Sequence, residues 1–209
     1  MTEIVSIARD GSDVARAALE RCVLGGGVAI FPADGLYGLA CDPARRDAIE
    51  RIHALKGRDE GKPSAVMFFS PLAMRELIAT LGPRTRDALG ALLPGPVTLV
   101  VANPERRYPN ASREPERLGL RLIEGPLVGA ACAIVQTSAN RSGEPAPSRF
   151  ADVPAVIRAG VDLVIEGGEL TGLASTVVDV TGIERGERPR ILRYGALGAE
   201  EVRRRLELP

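Results

Sequence analysis

The chain has no tryptophan and one histidine, His53, and aromatic residues fill only 3% of its 209 positions. A single histidine rules out a histidine-rich metal site. So few aromatics leave little for the stacking platforms that hold single-stranded nucleic acids. Cysteine is equally sparse: Cys22, Cys41 and Cys132 form no C-x-x-C pair. That odd count argues against a disulfide framework or a structural zinc, and for a reducing compartment. No run approaches the ~18 uninterrupted apolar residues of a membrane span. The opening M-T-E-I-V-S-I-A-R-D is interrupted by acids and leads into no apolar stretch, so it does not read as a signal peptide. Net charge is also missing, because 27 basic residues balance 27 acidic ones. Anion binding must then come from local clustering rather than a global basic field. These absences predict a cytoplasmic protein that makes no membrane contact.

What is present suits a folded domain. Hydrophobic residues make up 45% of the chain, enough for a sizeable core, and the length predicts one domain over residues 1–209. The 23 glycines and 16 prolines imply many tight turns. Ser12 or Asp13 is placed to cap a helix through Ala17, Leu19 and Cys22 that stops at Gly25-Gly26-Gly27. Residues 28–31 read as a buried strand ended by Pro32, with a loop from Pro32 to Leu39. Ile49, Ile52 and Leu55 recur at helical spacing and predict a helix over 46–56, ending at Gly57. Further strands are expected over 65–69, 97–102, 118–123, 131–136, 161–165, 176–180 and 191–193. Helices are expected around 74–81, 88–93 and 200–206. The polar, proline-bearing stretch 103–117 reads as a mobile loop. Strands and helices mix without a strict repeat, which predicts an α/β domain on a twisted mixed β-sheet with flanking helices.

Two separated segments carry the candidate chemistry. Gln136-Thr137-Ser138-Ala139-Asn140-Arg141-Ser142-Gly143 follows a strand, and loops at strand ends are where α/β proteins bind ligands. The Ser138 hydroxyl and Asn140 amide suit phosphate or ribose oxygens, although an ordinary serine or asparagine turn needs no ligand. Lys56 and Arg58 fall at the end and exit of the 46–56 helix, where cations also meet the helix dipole without any ligand. Two cations and two small hydrogen-bonding side chains, brought together, fit a polyanionic nucleotide. Gly25-Gly26-Gly27 lacks the residues of a phosphate-binding motif and reads as a helix C-cap. His53 shares the face of Ile49 and Ile52 and reads as a core or boundary residue. Asp34 and Asp42 suit either turn formation or a magnesium ion, and Tyr37 either packing or a substrate wall. Arg106-Arg107 and Arg203-Arg204-Arg205 have acids close by and read as solvated surface rather than RNA contacts.

The order of the segments adds weight. V-A-I-F-P-A-D-G-L-Y-G-L is followed by L-K-G-R-D-E-G-K-P, P-G-P-V-T-L-V-V and L-G-L-R-L. Next come T-S-A-N-R-S-G-E-P-A-P-S, S-T-V-V-D and I-L-R-Y-G-A. In this arrangement the chain resembles the YrdC-like family along nearly its whole length, in its short single-domain form. The resemblance implies a mixed sheet around an open, positively lined cleft. It also implies a nucleotidyltransferase reaction: threonine and bicarbonate form a carbamate, which attacks the ATP α-phosphate to give threonylcarbamoyl-AMP and pyrophosphate. ATP with Mg²⁺, bicarbonate and threonine would be substrates, with no permanently bound cofactor and no resident metal. The product would serve tRNA threonylcarbamoyladenosine formation, with tRNA or tRNA-modification proteins as partners. By matched position, Arg58, Lys62, Ser138, Asn140, Ser148 and Arg193 would hold ATP, with Lys56 on its phosphates. Lys56, Arg58, Ser138 and Asn140 would be the catalytic set. Gly35, Met67, Arg121 and Ser175 would line the threonine site, with Arg121 on the carboxylate.

The chain departs from the family pattern mainly on that last side. The usual P-T-[DE]-T-x-Y-G-L is Pro32-Ala33-Asp34-Gly35-Leu36-Tyr37-Gly38-Leu39, without either threonine. Met67 stands at the position of a frequent histidine, and Asp59 at that of a proline. Glu124-Gly125-Pro126 replaces D-H-P, and Arg193-Tyr194-Gly195-Ala196 replaces R-P-G-A. The expected consequence is a kept nucleotide side beside a roomier, more apolar amino-acid pocket. Two alternatives stand beside synthesis of threonylcarbamoyl-AMP. One is a carbamoyl-adenylate enzyme with another acceptor, for which Gly35→Thr discriminates. The other is a noncatalytic RNA- or nucleotide-binding protein.

Overall fold

The computed structural model describes residues 2–57 and 64–206, so Arg58 and Lys62, both expected at the nucleotide, lie outside the described residues. In chain order the elements are β1 Glu3–Ser6, α1 Ile7–Asp10, α2 Ser12–Leu24, β2 Ala29–Ala33, β3 Leu36–Cys41, α3 Arg46–Lys56, β4 Ala65–Phe68, α4 Pro71–Thr80, α5 Pro83–Leu92 and β5 Val97–Ala102. They continue with β6 Arg117–Leu122, β7 Ile134–Ser138, α6 Ala155–Ala159, β8 Leu163–Glu166, β9 Thr176–Asp179, β10 Arg190–Arg193 and α7 Ala199–Arg205. The strands form one mixed sheet in the order β1-β8-β2-β3-β7-β4-β6-β5-β9-β10.

Side chains alternate across the sheet and divide it into two unlike faces. One face carries Ile30, Leu39, Val66, Leu99, Leu120, Val135 and Val178. Helices cover it through Ile49 and Ile52 of α3, Met74 and Leu77 of α4, Leu89 and Leu92 of α5, Ile157 of α6 and Val202 of α7. The opposite face is covered in part. Phe31, Ala40, Met67, Ile134 and Ile165 pack against Ala15, Leu19 and Val23 of α2 and against Ile123 and Leu127. Further across the sheet, the same face presents a row of Gln136, Ala65, Gly119 and Val100 on adjacent strands. Among the described residues, Lys56 is the only helical one lining the space above that row. A half-covered sheet face with small residues on its floor is a cleft by construction.

Several expectations are corrected. The stretch Pro32 to Leu39 is a hairpin rather than a loop: Pro32 pairs with Tyr37 and Ala33 with Leu36, around a two-residue Asp34-Gly35 turn. Pro32 does not end the strand, because β8 runs beside β2 only at Ala29 and Ile30. The missing proline N–H therefore falls where one neighbour has already left. The N-cap of α2 is Gly11, with no side-chain cap from Ser12 or Asp13. The stretch 103–117 is pinned rather than mobile: the Asn103 amide donates to Arg107 O at 2.9 Å and Pro115 O at 2.6 Å, and Tyr108 meets Phe68 edge-on at 6.1 Å. β1, α1 and α6 were not expected at all.

Candidate active site

The cleft has a volume of about 550 Å³, within the range of small-molecule sites. Lys56, Arg121, Ser138, Asn140, Ser175 and Arg193 all line it. The structure thus brings together six of the residues singled out from sequence. Gly35, Met67 and Ser148 do not line it. Met67 is buried in the apolar layer beneath α2. Ser148 sits half-buried, its carbonyl accepting from Leu170 N at 2.9 Å.

Lys56 is placed by its helix. The turns of α3 put Ala48, Ile49, Ile52 and Lys56 on one buried face, and Gly57 ends the helix in the left-handed conformation at φ 55. Lys56 is only 3% exposed. Its ammonium donates to Asn140 O at 2.7 Å, to Asn140 Oδ1 at 3.3 Å and to Ser138 O. The Ser142 N–H donates in return to Lys56 O at 2.8 Å. The cation expected at phosphates is therefore turned onto the loop after β7, which it ties to the end of α3. The Ser138 hydroxyl donates to Asn140 Oδ1, and Asn140 Nδ2 donates to Arg141 O at 2.9 Å and Glu144 O at 2.6 Å. The loop is thus organised by its own polar side chains.

Arg121 lies at the other end of the cleft, on β6 opposite Met67. It is 5% exposed. One terminal nitrogen donates to Gln136 Oε1 at 2.9 Å and the other to Asp34 Oδ2, while Nε has no partner. Burial pushes the Arg121 pKa down, with Asp34 opposing and Arg193 adding to the shift. Burial likewise pushes the Asp34 pKa up, with the Arg121 charge opposing. On both partners desolvation outweighs attraction, as expected for ion pairs removed from water.

A strap over residues 171–175 closes the side nearest Gly35. Gly172 N donates to Gly35 O at 2.9 Å, and Ala196 N to Ala174 O at 2.8 Å. The approach is too close for a side chain at either glycine. A Cβ at Gly35 would lie 2.2 Å from Leu173 O, and one at Gly195 would lie 2.3 Å from Ala174 O. The roomier pocket expected from the missing threonine is therefore corrected: the strap fills that space, and Leu173 lines the cleft. Within the strap, the Ser175 hydroxyl is 2.8 Å from Thr98 Oγ1 and accepts from Arg193 Nη2 at 3.0 Å. Arg193 Nη2 also donates to Ser175 O at 2.8 Å.

Other candidates settle into structural roles. Tyr37 donates to Gly168 O at 2.8 Å and accepts from Gly167 N at 2.9 Å within the core. Asp42 accepts from Ala44 N at 2.8 Å in a turn, and His53 is half-buried at the boundary. Gly25 is the C-cap of α2. Burial pushes the Cys41 thiol up to about 12 and those of Cys22 and Cys132 up to about 11. None of the three lines the cleft, so no ready thiolate faces it. Among the described residues, no three His, Cys, Asp or Glu side chains gather as a metal site, and no helix is long and apolar enough to cross a membrane. Gln136 and Thr98 were missed from sequence. Gln136 was legible only as the polar exception at the end of an apolar strand, and Thr98 carried no signal.

Comparison with known proteins places this geometry. A model of the Sua5, YciO and YrdC proteins, described as telomere recombination, matches residues 21–195. The threonylcarbamoyl-AMP synthase of Nitrosococcus oceani is 31% identical over 175 residues, covering 81% of this chain and 94% of that protein. The enzyme of the same name from Chromohalobacter salexigens is 35% identical over 171 residues, covering 78% and 89%. Among solved structures, P. abyssi Sua5 complexed with L-threonine superposes with a TM-score of 0.80 at 26% identity, over 98% of this chain. This chain spans 60% of the length of that structure. E. coli YciO shares the fold with a TM-score of 0.75 at 23% identity, over 94% of this chain and 97% of its own.

Proposed function

The chain belongs to the Sua5/YciO/YrdC family, and from that premise we propose that it synthesises threonylcarbamoyl-AMP for tRNA threonylcarbamoyladenosine formation. The observation that carries this reading is the pairing, in one open cleft, of the Lys56-braced Ser138–Asn140 loop with the buried Arg121. The first suits a nucleotide and the second a carboxylate. Threonine and bicarbonate combine to a carbamate with loss of water. A carbamate oxygen then attacks the α-phosphorus of ATP, forming the mixed anhydride and releasing pyrophosphate. Such an attack needs positioning and neutralised charge more than a protein nucleophile. Magnesium belongs to the substrate here, travelling with the triphosphate.

In this reading Ser138 and Asn140 present the nucleotide loop, and Lys56 is a positioning residue that holds the loop in place. Arg193 and Ser175 form a hydrogen-bonded part of the cleft wall. Arg121 takes the amino-acid carboxylate. Arg58 and Lys62 complete the ATP site, and the protein works in the cytoplasm and passes its product to a tRNA-modifying partner. One observation favours a second reading, in which the same adenylate chemistry serves another acceptor: the strap carrying Leu173 occupies the space beside Gly35. A coupled assay of pyrophosphate release tests both. Release that needs ATP, bicarbonate and threonine together supports the synthase. Release that needs bicarbonate and a different amine supports the second reading, and ATP binding without release contradicts both.

A further inference from the structure

Arg121 is already occupied by a carboxylate. Its partner Asp34 sits at the tip of the β2–β3 hairpin, with a side chain 15% exposed against 6% for that of Arg121. The geometry points to Asp34 as a built-in occupant of the amino-acid carboxylate site: it pairs with Arg121 as a tethered rival that a substrate carboxylate must displace. This rests on the reading of Arg121 as the carboxylate-binding residue.

The contact is an incomplete version of the one a free carboxylate makes. A guanidinium prefers two parallel bonds to a carboxylate. Asp34 contacts one terminal nitrogen, Gln136 takes the other, and the buried Nε is left without a partner. A ligand carboxylate entering from the cleft can take the Nε edge together with the nitrogen that Asp34 releases. Asp34 is held at φ 59 as the first residue of the two-residue hairpin turn, and that turn sets its carboxylate beside Arg121. The charged groups around the pair do not favour it. The Glu124 charge opposes the ionised Asp34, although the Glu124 backbone N–H donates to that carboxylate, and Arg193 opposes the ionised Arg121. The latch is therefore held by proximity on the hairpin rather than by strong pairing, and a substrate must compete with a tethered rival. Its apparent affinity is lowered by the fraction of molecules in the open form.

The test compares L-threonine with L-threoninol, which lacks the carboxylate, by calorimetric titration of the ATP-bound protein. The proteins compared are the wild type and Asp34→Asn. Removal of the rival should tighten L-threonine about tenfold, the factor expected if latched molecules outnumber open ones by about ten to one. L-threoninol should bind both proteins equally, and the Kd for ATP should hold. Weaker binding of both ligands to Asp34→Asn would mean that Asp34 grips the substrate ammonium and would overturn the inference, as would unchanged binding of both. If the variant does not fold, the wild-type structure with L-threonine decides. A separated Asp34–Arg121 pair supports the latch, and an intact pair overturns it. Product formation by the wild type is a separate readout. Tighter threonine binding in the variant beside a wild type that makes no threonylcarbamoyl-AMP keeps the latch and sinks the functional reading. The reverse pattern sinks the latch alone.

Discussion

The buried Lys56 donates to the carbonyls of Ser138 and Asn140 and to Asn140 Oδ1, at the end of β7 and in the loop after it. Lys56→Ala leaves those carbonyls unpaired. Each buried polar group stripped of its partner costs on the order of 1–3 kcal/mol. We expect Lys56→Ala to lose about 2 kcal/mol of stability and roughly 4–8 °C in Tm, together with most of its ATP affinity. Calorimetry checks both quantities, and a variant that keeps its Tm would contradict the bracing role. Asp179 is a second residue whose effect is directional. It is 3% exposed and accepts from Arg117 at 3.1 Å, Arg190 at 2.8 Å and Thr181 N at 2.9 Å. Burial pushes its carboxyl up, but these bonds together hold it below the usual range. A carboxyl with a lowered folded pKa stabilises above its unfolded value of about 3.9 and loses that contribution as pH falls through the folded value. Asp179→Asn should therefore cost about 1–3 kcal/mol at neutral pH. Its deficit should close as pH drops below about 4, which denaturant titrations across that window measure.

At the scale of elements, the β2–β3 hairpin and the 171–175 strap decide the shape of the amino-acid end. Gly35→Thr would put a side chain into the carbonyl of Leu173. The expected result is displacement of the strap, a loss of about 1–3 kcal/mol and lower turnover with threonine. Improved turnover with intact stability would show that the strap yields easily. Gly195→Ala should behave alike, because its Cβ would meet the backbone of Ala174 and Ser175 in the same strap. The hairpin itself was legible. Asp34-Gly35 between apolar runs is a strong short-range hairpin signal, but Pro32 masked it by suggesting a strand end. Elements with a clean period were read almost to the residue, as with α3 Arg46–Lys56 and β5 Val97–Ala102. The strap was not legible, because nothing in Thr171-Gly172-Leu173-Ala174-Ser175 says which distant glycines it will touch. The Arg121–Asp34 pair was hidden for the same reason, since it joins residues 87 positions apart.

For the whole molecule, function follows from the unequal cover of one sheet. Substitutions on the two faces should separate stability from binding. Leu89→Ala, on the face covered by helices, should cost about 2–5 kcal/mol and leave the KM for ATP unchanged. Gly119→Leu, on the cleft floor, should block ligand binding with little loss of stability, since a Cβ there finds only ordinary contacts of 3.4 Å or more. Thermal unfolding and nucleotide titration of the two variants check this separation.

The most direct measurement incubates the protein with ATP, Mg²⁺, threonine and carbon-13-labelled bicarbonate, and reads the products by mass spectrometry. The account predicts a threonylcarbamoyl-AMP ion one mass unit heavier than with ordinary bicarbonate, absent without threonine and lost in Ser138→Ala and Arg121→Ala. An ATP-bound protein that yields no labelled adenylate with threonine, or a product that survives both substitutions, would contradict it.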